Sequence, residues 1–110
     1  SPKFEQFYAL LDNNLNLERL DIFYVSVNNL ELIEKLMRFP KLKTLSLDIS
    51  DVEADLDEDL PYHTVIKDLH FVSLQNIEVF CGNFESHAKF VAFLLSRSQL
   101  LKKLSLRPSH

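Results

Sequence analysis

Apolar residues recur along this chain in two alternating rhythms, one of period two and one close to 3.6. Four segments share the spacing i, i+3, i+5: Leu17-Leu20-Ile22, Leu42-Leu45-Leu47, Leu74-Ile77-Val79 and Leu101-Leu104-Leu106. Their last two apolar positions flank a polar residue, the alternation of a strand with one buried face. The spacing predicts strands near 17–23, 42–48, 74–80 and 101–106. Between them the period lengthens, which marks helices that cover the strands. In the helix expected at 29–38, Leu30, Ile33, Leu36 and Met37 share one face, while Glu31, Glu34, Lys35 and Arg38 take the rest. Glu31 with Lys35 and Glu34 with Arg38 are acid-first i,i+4 pairs, and Pro40 stops the helix. A helix at 86–97 is expected to start with Ser86 as N-cap and to bury Phe90, Val91, Leu94 and Leu95. The first, at 3–13, takes Ser1 and Pro2 as cap and first residue and buries Phe4, Phe7, Tyr8 and Leu11. A weaker helix at 61–70 carries Val65, Ile66 and Leu69. Ile66-Leu69-Phe71 fits the strand spacing too, but the later segment leaves more even intervals and keeps a helix to cover the strand.

The resulting order, α-β-α-β-α-β-α-β, implies a parallel sheet with its helices on one side. Each strand segment reads LxxLxL, and the starts lie 25, 32 and 27 residues apart. The period of leucine-rich repeats is about 20–29 residues, so an insertion stretches the middle interval. The expected fold is therefore an α/β leucine-rich-repeat solenoid: a curved parallel sheet, helices on its convex side, four irregular repeats. Ten residues after the first three starts stand Val27, Val52 and Phe84, expected to close the turn beneath each strand; six before stand Leu11, Leu36 and Leu95, with Asp68 and a register slip to Leu69 in the third unit. The asparagine that many such repeats place ninth is replaced by Val25, Ser50, Gly82 and Ser109. The turns must satisfy their backbone groups in another way.

Composition narrows the function. A chain of 110 residues, 46% hydrophobic and 25% charged, has the balance of one folded domain. Its formal charge of −4 argues against a partner recognised through a run of phosphates. Gly82 is the only glycine, which leaves no glycine-rich phosphate loop. Apolar clusters such as Phe90 to Leu95 fall well below the roughly 18 residues of a membrane span. With Cys81 as the one cysteine and no Asn-x-Ser/Thr acceptor, an intracellular setting is expected, cytoplasmic or nuclear.

If the leucines of the repeated motif point inward, the residues between them form a surface on the concave side, where solenoids bind partners. Its rows are Arg19, Thr44, Asn76, Lys103; then Asp21, Ser46, Glu78, Ser105; then Phe23, Asp48, Phe80, Arg107; then Tyr24, Ile49, Cys81, Pro108. The partner-binding candidates are Arg19, Asp21, Phe23, Tyr24, Asp48, Ile49, Glu78, Phe80, Lys103 and Arg107. Large apolar groups ringed by charge are common anchors; the alternative is that Phe23, Tyr24, Ile49 and Phe80 are covered by a neighbouring segment of a longer protein. The insertion at 50–60 is acidic, with Asp51, Glu53, Asp55, Asp57, Glu58 and Asp59 following Asp48. A calcium loop starting at Asp51 needs glycine and glutamate where Leu56 and Tyr62 stand, so a solvated loop is expected. His63, His70, His87 and His110 are scattered, without HExxH, CxxC or GxSxG motifs. Cys81 and His87 are a nucleophile and base in composition only. No catalytic residue, cofactor or metal is expected.

The stretch Leu74 to Leu106, LQNIEVFCGNFESHAKFVAFLLSRSQLLKKLSL, resembles the FBD domain that follows leucine-rich repeats in many plant F-box proteins. The resemblance lies in a strand ending near a glycine (Ile77, Val79, Gly82), a helix with Phe90-Val91-x-x-Leu94-Leu95, and a closing strand led by Leu101-Lys102-Lys103-Leu104. It implies a protein-interaction module, the substrate-recognition part of an SCF-type ubiquitin-ligase receptor whose F-box grips a Skp-type adaptor. No F-box is recognisable in the chain. The other function the pattern allows is a structural scaffold segment with the same face permanently packed. Arg107-Pro108-Ser109-His110 supplies no helix over Leu104 and Leu106, so the chain is expected to be part of a longer protein or to pair its last strand with another chain.

Overall fold

The computed structural model describes residues 2–26, 29–49, 68–82 and 84–109. Among them are helices α1 (Pro2–Asp12), α2 (Leu30–Met37) and α3 (Phe84–Ser96), and strands β1 (Arg19–Val25), β2 (Thr44–Ile49), β3 (Asn76–Phe80) and β4 (Lys103–Arg107). The four strands form one sheet in the order β1-β2-β3-β4. Every adjacent pair is parallel. Parallel neighbours need a long crossover, and α2 between β1 and β2 and α3 between β3 and β4 are such crossovers. The segment Leu74-Ile77-Val79 supplies the third described strand, and Leu69 and Phe71 of the competing segment lie outside any strand.

The repeated motif sets the register. Leu20, Leu45, Ile77 and Leu104 stand in one row across the sheet, and Ile22, Leu47, Val79 and Leu106 in the next. On the two inner strands all four of these side chains are fully buried. Burial of each contributes about 1.5–3 kcal/mol. They join one core with Tyr8 and Leu11 of α1, Leu32, Ile33, Leu36 and Met37 of α2, and Phe90, Phe93 and Leu94 of α3. The helices therefore lie over one face of the sheet. At the outer strand the cover thins: Leu104 is half-buried and Leu106 is exposed.

Entry into the strands is also repetitive. The amides of Lys43 and Thr44 both donate to the Glu18 carbonyl, those of Gln75 and Asn76 to the Lys43 carbonyl, and those of Lys102 and Lys103 to the Gln75 carbonyl, at 2.7–3.1 Å. The accepting residue follows the first leucine of its motif each time. One carbonyl thus satisfies two successive amides of the next strand, so each strand entry is held by backbone groups alone.

Local contacts correct several expectations. The Asn29 side chain caps α2 by accepting from the Leu32 amide (3.1 Å), and it also accepts from the Tyr8 hydroxyl (3.3 Å), which fastens α1 to α2. Glu34 and Arg38 pair at 2.8 Å as expected. Lys35 turns away from Glu31 to Asp12 (3.4 Å) and lies over the Tyr8 ring, 5.2 Å from its centre. α3 starts two residues earlier than expected, so Ser86 lies in its first turn rather than at its cap. Phe84, expected beneath the strand, opens that helix half-exposed. Leu95 is 44% exposed, because the buried stripe runs Phe90, Phe93, Leu94, Arg97 and position 95 lies on the far side of the helix.

The acidic stretch 50–60, Val27, Val52 and most of the weak helix expected at 61–70 lie outside the described residues. Asp68 to His70, the end of that segment, are not helical. They are tied down by Arg97, whose guanidinium donates to the Leu69 carbonyl (2.8 Å) while its own carbonyl accepts from the Phe71 amide (2.8 Å).

Candidate partner-binding face

Alternation along each strand turns the residues between the leucines onto the face that carries no helix among the described residues. The pairing register assembles them into the expected rows. Arg19, Thr44, Asn76 and Lys103 stand side by side, as do Asp21, Ser46, Glu78 and Ser105. Asp48, Phe80 and Arg107 form the third row from β2 to β4.

On β1 the third row is different. Ile22 lies opposite Leu47, and the next pair is Val25 opposite Ile49, so Phe23 and Tyr24 together face the single residue Asp48. This is a β-bulge, which re-aims side chains at the edge of a sheet. Tyr24 takes it up in the left-handed region, at φ 59°. That conformation costs a residue with a Cβ about 1–2 kcal/mol. The bulge turns Val25 back into the core and leaves Phe23 64% and Tyr24 85% exposed.

The fourth expected row does not exist on this face. Ile49 is 2% exposed and packs in the core, and Cys81 is buried as well. Both stand two residues beyond an inward residue, Leu47 and Val79, so strict alternation returns them inward. Ile49 is thus removed from the candidate surface. Tyr24 remains on it because of the bulge, and Pro108 is exposed beyond the end of β4. The bulge had a sequence signal that the repeated motif hides: the next apolar residue after Leu47 is two positions on, at Ile49, whereas the next inward residue after Ile22 is three on, at Val25.

The face is striped in chemistry. Its first row holds two cations and no acid, its second two acids and two hydroxyls, and its third two aromatic rings with Asp48 and Arg107. Arg19 pairs with Asp21 (3.3 Å), and Arg107 reaches across to Glu78 (3.2 Å). Both pairs are largely solvated, so each stabilises the fold by at most about 1 kcal/mol. The Asn76 amide donates to the Thr44 hydroxyl at 3.5 Å. A half-open cleft of about 220 Å³ is lined by Arg19, Thr44, Ser46, Asn76, Ile77, Glu78, Lys103 and Ser105. Sites that engulf a small molecule are larger, about 300–1,000 Å³, and mostly apolar. A polar groove of this size suits side chains of a macromolecule.

Cys81 and His87 are both buried, and neither lines the cleft. Among the described residues no group of three or more His, Cys, Asp or Glu is placed to hold a metal ion. No helix among them is long and apolar enough to cross a membrane.

The chain is similar to an F-box/FBD/LRR-repeat protein of Arabidopsis thaliana. The two are 33% identical over 88 residues, which cover 74% of this chain and 19% of the relative. The chain thus spans about a fifth of that protein's length. No family profile matches the chain. No solved structure matches it.

Proposed function

We propose that the chain is a segment of a leucine-rich-repeat solenoid that binds another protein through the helix-free face of its sheet, and that it is not an enzyme. The observation that carries this reading is the bulge. Two aromatic side chains are held in solvent at the cost of a left-handed tyrosine, beside rows of charged and hydroxyl groups in register. Backbone strain of this kind gathers at functional positions, and exposed aromatics rimmed by charge are typical binding anchors. The four parallel strands, the repeated motif and the shared strand-entry hydrogen bonds support the solenoid. The printed name of the relative supports a protein partner.

Within that reading the role is substrate recognition in an SCF-type ubiquitin-ligase receptor, with a Skp-type adaptor held by other parts of the whole protein. An intracellular setting, cytoplasmic or nuclear, goes with it and is supported by the lone buried thiol of Cys81. Affinity purification from the source cell, run in parallel with the chain and its Phe23→Ser/Phe80→Ser double variant, tests the proposal. A protein recovered with the chain and lost with the folded double variant supports it. Recovery that is indifferent to both rings, or a chain that only self-associates as a scaffold would, contradicts it.

A further inference from the structure

The stripes on the open face also specify the chemistry of the occupant. Resting on the reading of that face as the binding surface, we propose that it takes an extended segment of a partner protein bearing a carboxylate side chain and, about six residues away, a large apolar side chain.

The carboxylate end follows from charge. The chain as a whole carries −4, so its overall field repels an acidic partner and recognition must be local. The first row is where the sign reverses: Arg19 and Lys103 both line the cleft, with no acid in their row. Four of the charges on this face are already matched in two pairs. Asp21 lies against Arg19, and Glu78 against Arg107. Lys103 is exposed and has no ion-pair partner among the described residues. A carboxylate over Asn76 meets the Lys103 ammonium and the donors of Thr44, Asn76 and Ser105, which line the same cleft. Hydrogen bonds to an ionised group are about twice as strong as neutral ones.

The apolar end and the direction follow from the third row. Phe23 and Tyr24 stand exposed on β1 beside Asp48 on β2. Asp48 also lacks an ion-pair partner among the described residues, so it turns a carboxylate away from the aromatic end. The segment is thereby oriented acid toward Lys103, apolar side chain toward Phe23. Lys103 and Phe23 are three strands apart and four residues apart along the strand direction. At about 4.8 Å per strand and about 3.3 Å per residue the separation is roughly 20 Å, or about six residues of extended chain.

The test is a random dodecapeptide library displayed on phage and panned against the chain, with enriched peptides then synthesised and titrated by fluorescence polarisation. Enriched sequences are expected to pair Asp or Glu with Phe, Tyr, Leu or Met about six positions away. Binding should weaken about tenfold in both Lys103→Glu and Phe23→Ser, and replacing the peptide's acid by lysine should restore affinity for Lys103→Glu. Peptides that need Phe23 but are indifferent to Lys103→Glu overturn the acidic occupant and leave the open-face reading standing. Failure to enrich any peptide, or binding indifferent to both substitutions, overturns both.

Discussion

Val25 lies opposite Ile49 across the first strand pair although it is three residues beyond Ile22, while Ile49 is only two beyond Leu47. The extra residue is accommodated at Tyr24, whose φ of 59° is the left-handed region that favours glycine. Its side chain is 85% exposed, so removing it forfeits little burial. Tyr24→Gly is therefore expected to relieve the strain, offset in part by the freedom glycine gains when unfolded, and to raise stability by up to about 1 kcal/mol. Urea denaturation reads this directly. A clear loss of stability would mean that the ring contributes to the fold rather than to a binding surface.

The parallel sheet and the first two rows of its open face were legible from the sequence because the repeated motif is a register mark. Each LxxLxL fixes which residues turn inward, and Leu45 with Ile77 or Ser46 with Glu78 then meet automatically. What the motif does not encode is where alternation continues or breaks beyond it. Extending the rows past the motif places Ile49 on the surface although strict alternation buries it, and Tyr24 reaches the surface only through the bulge. On α2 the pattern places Ile33, Leu36 and Met37 inward, and they are buried together with Leu32. The apolar pattern of α3 places Leu95 inward as well, but position 95 is about 140° around the helix from Phe90 and lies on the far side, where it is exposed, while Phe93 and Arg97 complete the buried stripe.

Equivalent leucines of the motif should differ sharply in what they contribute. Leu47 is fully buried between neighbouring strands, whereas Leu106, at the same motif position on β4, is exposed. Leu47→Ala is expected to cost about 2–5 kcal/mol, a large share of the roughly 5–15 kcal/mol that holds an ordinary domain together. Leu106→Ala should cost less than about 1 kcal/mol. Thermal denaturation of the two variants side by side checks the difference. Equal losses would show that β4 is covered as fully as the inner strands.

Arg97 acts as a clamp on the segment entering the third unit. Its guanidinium donates to the Leu69 carbonyl at 2.8 Å and lies over the Phe93 ring, 5.1 Å from its centre. Arg97→Ala leaves a carbonyl without its charged donor, and the expected cost is about 1.5–3 kcal/mol. Hydrogen exchange gives the local readout: the Phe71 amide, which donates to the Arg97 carbonyl, should lose protection before the amides of β3 do. Uniform loss across the sheet would indicate a global effect instead of a clamp.

The claim that partners meet the helix-free face is tested most directly by site-specific photocrosslinking in the source cell. A benzophenone amino acid is placed at Phe80 on that face or at Ala92, an exposed position on α3. Position 80 is expected to crosslink to a partner protein that mass spectrometry identifies, and position 92 to give none of that product. Crosslinking of the partner from position 92 with none from position 80 would contradict the claim and move the binding surface to the helices.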